Sequence, residues 1–298
     1  MRYTITGSLG NISKLLVTKL VEEGHHVTLI SSDPQKATTI KDIGAVPAIG
    51  DIQQVNFLTD AFSDADAVYT MVPIQFDHSD WRAQIRQTGQ IYAQAIRQAG
   101  IKRVVNLSSI GAHSPDGCGP VSGLYDVEQT LNQLENIQLT HLRPANFYIN
   151  FFAEVAQIRH QGLIGRNYPA NTPVVMVDIP AIADAAATAL TTATEHLRSI
   201  QYIVSDIRTA GESAAVLGQA IGRPELPWVE YPDNEYYDIL VANGLPANIA
   251  ANYIELGTAI RTGKLFEDFY QQSGIPKTGS KLEAFAQVFA AVYHAANV

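Results

Sequence analysis

The sequence predicts an α/β fold: a doubly wound parallel sheet with helices on both faces, joined to a smaller, mostly helical C-terminal lobe. Short β-prone runs alternate with helix-period patterns from residue 3 to about residue 142, and such alternation is typical of parallel sheets built from strand–helix–strand units. The first of these runs ends in a glycine-bearing turn that leads directly into a helical pattern. Both observations favour one large sheet whose strands end at a common rim.

Size and charge limit the classes of partner. The chain has 298 residues, of which 46% are hydrophobic, and this is enough to bury a large core. Its formal net charge of −9 argues against a surface that follows nucleic-acid phosphates, since such a surface needs a basic stripe. We therefore expect no direct nucleic-acid partner.

Three further features indicate an ordinary cytoplasmic protein. No apolar run approaches the roughly 20 residues that span a bilayer, and the N-terminus shows no charged segment followed by an apolar one, so no membrane partner is expected. The single cysteine, Cys118, excludes an intrachain disulfide and a cysteine-cluster metal site. The eight histidines show no spacing typical of metal ligands, so we predict no metal site.

The first strand and the first helix are joined by the spacing Gly7-x-x-Gly10-x-x-Ser13. The first glycine permits a tight turn, the second lets the backbone approach a pyrophosphate, and serine is small where a third glycine would pack helix against strand. The helix then begins with unpaired N–H groups and a partial positive charge, which favour a phosphate. The predicted dinucleotide contacts here are Gly7, Ser8, Leu9, Gly10, Asn11 and Ile12. A tight connection without a ligand is the alternative.

The end of the second strand bears on the choice of cofactor. Ser31, Ser32 and Asp33 lie where the ribose 2′ position of a dinucleotide is expected. A carboxylate there accepts a hydrogen bond from the 2′-hydroxyl of NAD, whereas a cation suits the 2′-phosphate of NADP. The sequence offers two hydroxyls and an acid, with Lys36 one turn into the next helix. Asp33 precedes Pro34 and is equally suited to capping that helix, so NADP and NAD both stay open.

The ends of the third and fourth strands add candidates at the same rim. Asp51 follows Gly50 and is placed to accept a hydrogen bond from the adenine amino group, with a loop-starting aspartate as the alternative. Met71, Val72 and Pro73 are placed to form the wall beside the adenosine ribose and the nicotinamide, and ordinary core residues are the alternative.

The fifth and sixth strands end where the nicotinamide is expected. Ser108 and Ser109 end the fifth strand; we assign Ser108 to the cofactor, and the Ser109 hydroxyl is placed to hydrogen-bond a substrate carbonyl. Asn146, Phe147 and Tyr148 follow the sixth strand and are expected to border the nicotinamide and cap the acceptor pocket. Phe147 is equally suited to the core.

No linker rich in proline, glycine or serine divides the chain. We assign residues 1–150 to a dinucleotide-binding domain, and residues 151–298 to a mixed segment that completes the sheet and forms a helical lobe on the substrate side. Four aromatic residues in that segment are predicted to pack the lobe, with a flat acceptor pocket as the alternative: Trp228, Tyr231, Tyr236 and Tyr237.

A series of motifs follows in a fixed order along the chain. They are Gly7-x-x-Gly10, Gly50-Asp51, Asn106-Leu107-Ser108-Ser109-Ile110-Gly111, Leu142-Arg143-Pro144-Ala145-Asn146-Phe147-Tyr148, Val177-Asp178-Ile179 and Ala181-Ile182-Ala183-Asp184. Together they resemble the NmrA-like group of atypical short-chain dehydrogenase/reductases, most clearly over residues 1–194. The resemblance implies a Rossmann-type domain that binds NADP(H) and, where catalysis occurs, passes hydride to a small acceptor such as a quinone.

Catalytic short-chain enzymes generally carry Tyr-x-x-x-Lys on the helix after the fifth strand. Tyr125 matches the tyrosine, but Gln129 stands where the lysine is expected. Without a nearby cation a tyrosinate is disfavoured, so Tyr125 and Ser109 are candidate catalytic residues of an oxidoreductase in which water delivers the proton. Two alternatives stay open. One is a non-catalytic NADP(H) redox sensor with a protein partner, and the other is a nucleotide-sugar epimerase with relocated acid–base residues.

Overall fold

A computed structural model describes residues 1–73, 80–192 and 196–295. The strands in these ranges are β1 (Arg2–Ile5), β2 (His26–Ser31), β3 (Val46–Ile49), β4 (Ala67–Thr70), β5 (Arg103–Leu107), β6 (Gln138–Pro144), β7 (Asn146–Phe147), β8 (Ile164–Arg166), β9 (Pro173–Val177), β10 (Arg198–Ile203), β11 (Asp206–Thr209) and β12 (Trp228–Glu230).

The α-helices within the same ranges cover both faces of the sheet and build most of the C-terminal part. They are α1 (Asn11–Glu22), α2 (Ala37–Asp42), α3 (Val55–Phe62), α4 (Trp81–Ala99), α5 (Val121–Asn132), α6 (Val155–Gln161), α7 (Ile179–Thr191), α8 (Ala210–Ala220), α9 (Asp233–Ala242), α10 (Ala247–Arg261), α11 (Glu267–Gln271) and α12 (Leu282–Ala295). Short 3-10 segments lie at Pro34–Lys36, Tyr148–Glu154 and Lys264–Phe266.

Seven strands form one sheet in the order β3-β2-β1-β4-β5-β6-β10. Every neighbouring pair in this sheet is parallel. The strand order reverses between β1 and β4, and open sheets of this kind bind ligands in the crevice beyond the carboxyl ends at that point. The predicted doubly wound sheet is confirmed, and the glycine turn lies at the end of β1 beside the crevice.

Alternating side chains of the strands pack into two separate cores. Val68 of β4 belongs to a cluster with residues of α3, α4 and α5, whereas its neighbours Ala67 and Tyr69 belong to a cluster with residues of α1 and α7. Successive strand residues point to opposite faces, so the two clusters lie on opposite sides of the sheet. This double burial holds the strand ends, and hence the rim, in fixed positions.

The helix that begins near residue 80 shows how local signals set its limits. Asp80 precedes α4, and its carboxylate accepts a hydrogen bond of 2.9 Å from the backbone N–H of Ala83. Gly100 ends the helix in the left-handed conformation with φ of 68°, which glycine adopts without steric cost. The sequence pattern predicts a long helix from about Ser79 to Ala99 that ends at Gly100. This prediction is confirmed for the described part, while Ser79 itself lies outside the described residues.

The C-terminal half contains more strands than the sequence predicts. β7, β9 and β11 form a three-stranded sheet, and β8 pairs with β12. The sequence pattern from Asn146 to Gln161 before Gly162 predicts a helix, but Asn146 and Phe147 form β7, and the helical conformation begins at Tyr148. The expectation is wrong at its start because β7 is stabilised by pairing with Met176 and Val177 of β9, a contact too distant in sequence for local propensity to reveal.

The segment after residue 150 contributes directly to the main sheet. β10 pairs with β6, and α7 packs against α1. The division of the chain near residue 150 stays a prediction. Among the described residues, each helix is too short or too polar to cross a lipid bilayer.

Candidate functional site

The turn after β1 is shaped by two left-handed residues and one close contact. Gly7 has φ of 98° and Ser8 has φ of 52°, and the N–H of Gly10 donates to the carbonyl of Gly7 at 3.1 Å. Ser13 Oγ donates to the Thr6 carbonyl at 2.9 Å. A Cβ on Gly7 would lie 2.4 Å from that hydroxyl, so serine at the third position and glycine at the first depend on each other.

The N-terminus of α1 is open. Gly10 is its N-cap residue, no side chain caps the helix, and the first turn contains no acidic residue. The first N–H groups of a helix have no intrahelical partner and attract anions. The turn therefore fits a pyrophosphate: Gly7 and Gly10 keep side chains away, and the backbone of Asn11 and Ile12 presents donors.

The end of β2 is tied to the glycine turn by hydroxyl groups. Ser8 Oγ donates to Ser31 Oγ at 2.9 Å, and Ser31 Oγ accepts the N–H of Asp33 at 3.2 Å. Asp33 Oδ1 accepts the N–H of Gln35 at 2.9 Å and caps the 3-10 segment. Ser32 is exposed beside them. The capping role of Asp33 is therefore confirmed, and its predicted role towards a ribose stays a prediction.

The third and fourth strand ends show two different environments. Asp51 is exposed, and its carboxylate accepts the N–H of Gln53 at 2.9 Å, as in an Asx turn. Met71 is tied to the turn residue Thr6, whose hydroxyl accepts the Met71 N–H at 2.9 Å. The Met71 side chain would meet a Cβ on Gly7 at 3.0 Å, so this residue borders the glycine turn from the β4 side.

The two residues after Met71 continue the rim. Val72 is buried and belongs to the core cluster of α3, α4 and α5. Pro73 is half-buried, and its carbonyl accepts a long hydrogen bond of 3.4 Å from Gln84 of α4. Val72 is therefore a core residue, as the alternative prediction stated. Contacts of Val72 and Pro73 with a cofactor stay predictions.

A buried polar network joins the end of β5 to α5 and β6. Ser108 Oγ donates to Glu128 Oε1 at 2.5 Å, and Arg143 donates to the same carboxylate through Nε at 3.0 Å and Nη2 at 2.7 Å. All three residues are at least 95% buried. Burial disfavours the charge of Arg143, but its bonds to Glu128 raise the pKa of the guanidinium. The Ser108 hydroxyl thus donates its hydrogen bond within the buried network, and its contact with a cofactor stays a prediction.

The two candidate catalytic residues lie in different surroundings. Ser109 Oγ donates to the carbonyl of Ile110 at 2.9 Å. Tyr125 lines a cavity of about 260 Å³ together with Gln129, the residue at the position of the expected lysine. Ser109 is not among the residues that line this cavity. Their shared role in catalysis stays a prediction.

The cavity beside Tyr125 is also lined by Arg143 of the polar network and by its partners Tyr202 and Asp268. Arg143 Nη1 donates to the Tyr202 hydroxyl and to Asp268 Oδ2, each at 3.0 Å, and the Tyr202 hydroxyl also donates to Asp268. Burial and the bond to Asp268 raise the pKa of Tyr202. Burial lowers the pKa of His113, another wall residue whose ring nitrogens have no hydrogen-bond partner among the described residues.

Asn146 and Phe147 border a second, smaller cavity. Its volume is about 40 Å³, and its other walls are Asn150, Phe151, Glu154, Arg166, Tyr168, Val174, Met176, Ala210, Ser213 and Trp228. Tyr148 does not line it; this residue is buried, and its hydroxyl donates to the Ser280 carbonyl at 3.1 Å. Tyr148 thus packs in the core, and a contact with the cofactor stays a prediction.

Sequence reasoning missed the two charged residues of this cavity. Glu154 and Arg166 form an ion pair, and the Arg166 Nη1 also donates to the hydroxyl of Tyr236. The sequence offers a partial signal, because Trp228 and Tyr236 were named as possible pocket aromatics. The charged pair itself gave no such signal, since its members lie on a 3-10 segment and a short strand that only the tertiary structure brings together.

Comparison with known proteins identifies the cofactor class. The model of a family described as NAD(P)H-binding matches residues 7–145. A relative from Streptomyces griseus subsp. griseus, a (4-alkanoyl-5-oxo-2,5-dihydrofuran-3-yl)methyl phosphate reductase, is 24% identical over 259 residues, or 87% of each chain. Both matches support the predicted NAD(P) cofactor.

Two solved structures share the whole fold. A triphenylmethane reductase from Citrobacter sp. has a TM-score of 0.80 and 21% identity, covering 98% of this chain and 100% of its own. An NADPH-dependent quinone oxidoreductase from Escherichia coli, complexed with NADPH, has a TM-score of 0.81 and 19% identity, covering 96% and 99%. These likenesses establish the same overall fold over nearly the entire chain.

Proposed function

Because residues 7–145 match the NAD(P)H-binding family, we propose that the protein is an NAD(P)H-dependent reductase of a small planar acceptor such as a quinone. The observation that carries the proposal is the open N-terminus of α1 behind the turn of Gly7 and Gly10, which offers backbone donors to a pyrophosphate without a competing side chain. The known reductases of similar sequence or fold act on a furanone phosphate, a dye and a quinone, as their names state. All are small molecules with conjugated systems.

The bound cofactor would supply hydride, and the chain would supply alignment. In this proposal Ser8 and Ser31, which are hydrogen-bonded to each other, would border the adenosine end, and Met71 lies beside the turn. Asn146 and Phe147, which line the smaller cavity, would border the nicotinamide. Holding two reactants in a reactive geometry accounts for a large part of the acceleration in such transfers. The absence of a Tyr-x-x-x-Lys pair suits a reaction in which water provides the proton. The single cysteine suits a reducing cytoplasmic location.

The first experiment measures cofactor binding. Asparagine and aspartate both suit the N-cap position, and the Gly10 backbone is extended, with φ of −67°. Gly10→Asp and Gly10→Asn therefore share shape and differ in charge. We expect Gly10→Asp to weaken NADPH binding at least about tenfold more than Gly10→Asn, because a carboxylate repels the pyrophosphate at short range. Equal affinities in the two variants would contradict the phosphate role of the turn.

The second experiment measures turnover with a quinone series and with NADPH and NADH in parallel. Steady oxidation of the reduced cofactor is the expected result, and the ratio of the two kcat/KM values decides the cofactor preference that Asp33 and Lys36 leave open. A sensor would instead show no turnover, a marked difference in affinity between oxidised and reduced cofactor, and capture of a protein partner in one state. That combination would replace the reductase proposal.

A further inference from the structure

Arg166 occupies an unusual position for a charged residue. It ends β8, which pairs with β12, and it lines the same small cavity as Asn146 and Phe147. Its guanidinium holds Glu154 through Nη2 and the Tyr236 hydroxyl through Nη1. Glu154 is almost fully buried, with 6% of its side chain exposed, while 22% of the Arg166 side chain remains accessible.

We propose that Arg166 binds the carbonyl oxygen of the acceptor, and that Glu154 makes the site select uncharged carbonyl compounds over anionic ones. The inference rests on the proposed reductase function and names the acceptor class and the residues that choose it. A guanidinium has five N–H donors; two of its nitrogens engage Tyr236 and Glu154, and Arg166 lines the cavity with part of its side chain accessible. A carbonyl oxygen is a fitting partner for a donor that has no acceptor capacity of its own.

A purely structural role does not account well for this pair. Buried ion pairs contribute little to stability, because desolvation offsets their attraction, and apolar replacements are often as stable. The cavity wall around the pair is otherwise largely apolar or aromatic, with Phe147, Phe151 and Trp228 among its residues. A charge retained at the wall of such a cavity is explained if it meets a polar atom of the ligand.

The charge balance decides between acceptor classes. Glu154 already neutralises Arg166, so an uncharged carbonyl acceptor adds no net charge to a poorly solvated site. A phosphate or sulfonate would place a second anion beside Glu154, and like charges in a site of low dielectric constant repel strongly. A cationic acceptor would likewise be repelled by the positive charge of the guanidinium. A neutral quinone or enone fits best.

The aromatic walls suit the flat part of such an acceptor. The rings of Tyr168 and Trp228 lie 5.2 Å apart, and the Trp228 indole N–H is held by the Tyr168 carbonyl at 2.9 Å. Phe147 and Phe151 are half-buried and line the same cavity as the charged pair. The cavity of about 40 Å³ has room for little more than one water molecule, so binding of a ring would require side chains of its wall, such as the half-buried Phe147 and Phe151, to rotate.

The chemistry balances with the proposed reductant. Hydride from the reduced nicotinamide adds two electrons and one hydrogen nucleus to the quinone, which leaves one negative charge on a carbonyl oxygen. A guanidinium near that oxygen stabilises the charge as it develops. One proton from water would complete the hydroquinone and leave hydroxide, and loss of hydride would leave the nicotinamide with one more positive charge.

The test compares neutral and anionic acceptors of the same ring. Arg166→Met should lower kcat/KM for unsubstituted naphthoquinone by about tenfold or more, the loss expected for a hydrogen bond from a charged donor. Glu154→Gln keeps the shape but removes the negative charge, so the kcat/KM ratio of naphthoquinone sulfonate to naphthoquinone should rise at least about tenfold. Arg208→Met is the matched control, because Arg208 has the same ion-paired character and a 20% exposed side chain but does not line the cavity.

A second readout does not depend on turnover. Quenching of Trp228 fluorescence by naphthoquinone, with oxidised cofactor bound, reports acceptor binding, and a Trp228→Phe background corrects for Trp81. Arg166→Met should weaken this quenching, and Arg208→Met should leave it unchanged. Normal NADPH affinity with unchanged kcat/KM and quenching in Arg166→Met, or an unchanged acceptor ratio in Glu154→Gln, would overturn the inference and leave the reductase proposal standing. Loss of NADPH binding in the wild-type protein would instead defeat the reductase proposal.

Discussion

The Ser13 hydroxyl constrains the geometry of the glycine turn. The Ser13 hydroxyl occupies the space where a side chain of Gly7 would lie, 2.4 Å from a Cβ built there. The same hydroxyl donates to the Thr6 carbonyl and so joins α1 to the end of β1. A serine at the third position of the motif therefore keeps the helix close to the strand, as a glycine would.

We expect Gly7→Ala to combine two costs. Gly7 has φ of 98° and Gly24 has φ of 81°, but nothing lies within 4 Å of a Cβ on Gly24. The left-handed conformation costs about 1–2 kcal/mol for a residue with a side chain, and Gly24→Ala should show this cost alone. Gly7→Ala should lower the free energy of unfolding further and weaken NADPH binding. Equal stabilities of the two variants in urea titrations would contradict the packing argument.

A buried histidine on β6 should make stability depend on pH. His141 Nδ1 and Nε2 lie 3.1 Å from Asn106 Nδ2 and Asn132 Oδ1, and burial lowers the pKa of His141 to about 4. Because the folded pKa is depressed, the contribution is present above the ordinary value of 6.5 and is lost as the pH falls towards 4. The total loss is about 3 kcal/mol.

The pH prediction is tested by removing the titrating group. His141→Gln should be less stable than the wild type near neutral pH, and this difference should shrink steadily as urea titrations are repeated from about pH 7 down to about pH 4.5. A difference that stays constant across this interval would show that His141 does not bind a proton more weakly in the folded chain.

At the scale of elements, one ion pair connects three parts of the rim. Glu128 on α5 holds Ser108 at the end of β5 and Arg143 on β6. Arg143 in turn reaches Asp268 on α11 at 3.0 Å. These bonds position the β5–β6 edge of the crevice relative to the helix that carries Tyr125.

Breaking this connection should cost far more than breaking an exposed pair. Glu128→Gln leaves a buried guanidinium without its main partner, a change that typically costs about 3–5 kcal/mol. Asp184→Asn breaks the pair with Lys19, whose side chains are 40% and 61% exposed, and should cost about 1 kcal/mol or less. Chemical unfolding of the two variants measures both values, and similar costs would show that the buried network contributes no more than a surface contact.

At the scale of the whole molecule, the main sheet is completed by its last strand from the second half of the chain. β10 pairs with β6 along six registered residues, from Arg198 to Ile203. α7 covers the α1 face and contacts β4, β5 and β6. A fragment of residues 1–150 would expose β6 as an unpaired edge and leave this face uncovered, and exposed edges favour aggregation.

We therefore expect the fragment 1–150 to fail as an independent unit, although it contains the entire glycine turn. It should aggregate or unfold without a cooperative transition, and it should not bind NADPH. The full chain should unfold cooperatively and bind NADPH in the same buffer. Thermal unfolding and cofactor titration of the two proteins measure the difference. A soluble fragment with a sharp transition and cofactor affinity would establish residues 1–150 as a separate domain.

Local signals made the main sheet and the turn predictable. The period of two in the strands, the glycines after β1 and the aspartate caps act through neighbours along the chain, so they are legible in the residues themselves. The three-residue strands β8 and β12 were missed for the opposite reason: a segment so short has no period, and its pairing depends on a partner more than 60 residues away.

Residue order alone determined the fold class, the glycine turn after β1 and the missing Tyr-x-x-x-Lys pair, because each is set by spacing over a few positions. Tertiary structure alone decided that Ser108 is held by Glu128, that Tyr125 lies in a cavity apart from Ser109, and that Glu154 and Arg166 share the wall beside Phe147. These arrangements arise when distant elements pack together, and the burial that gives each charge its strength exists only after they have done so.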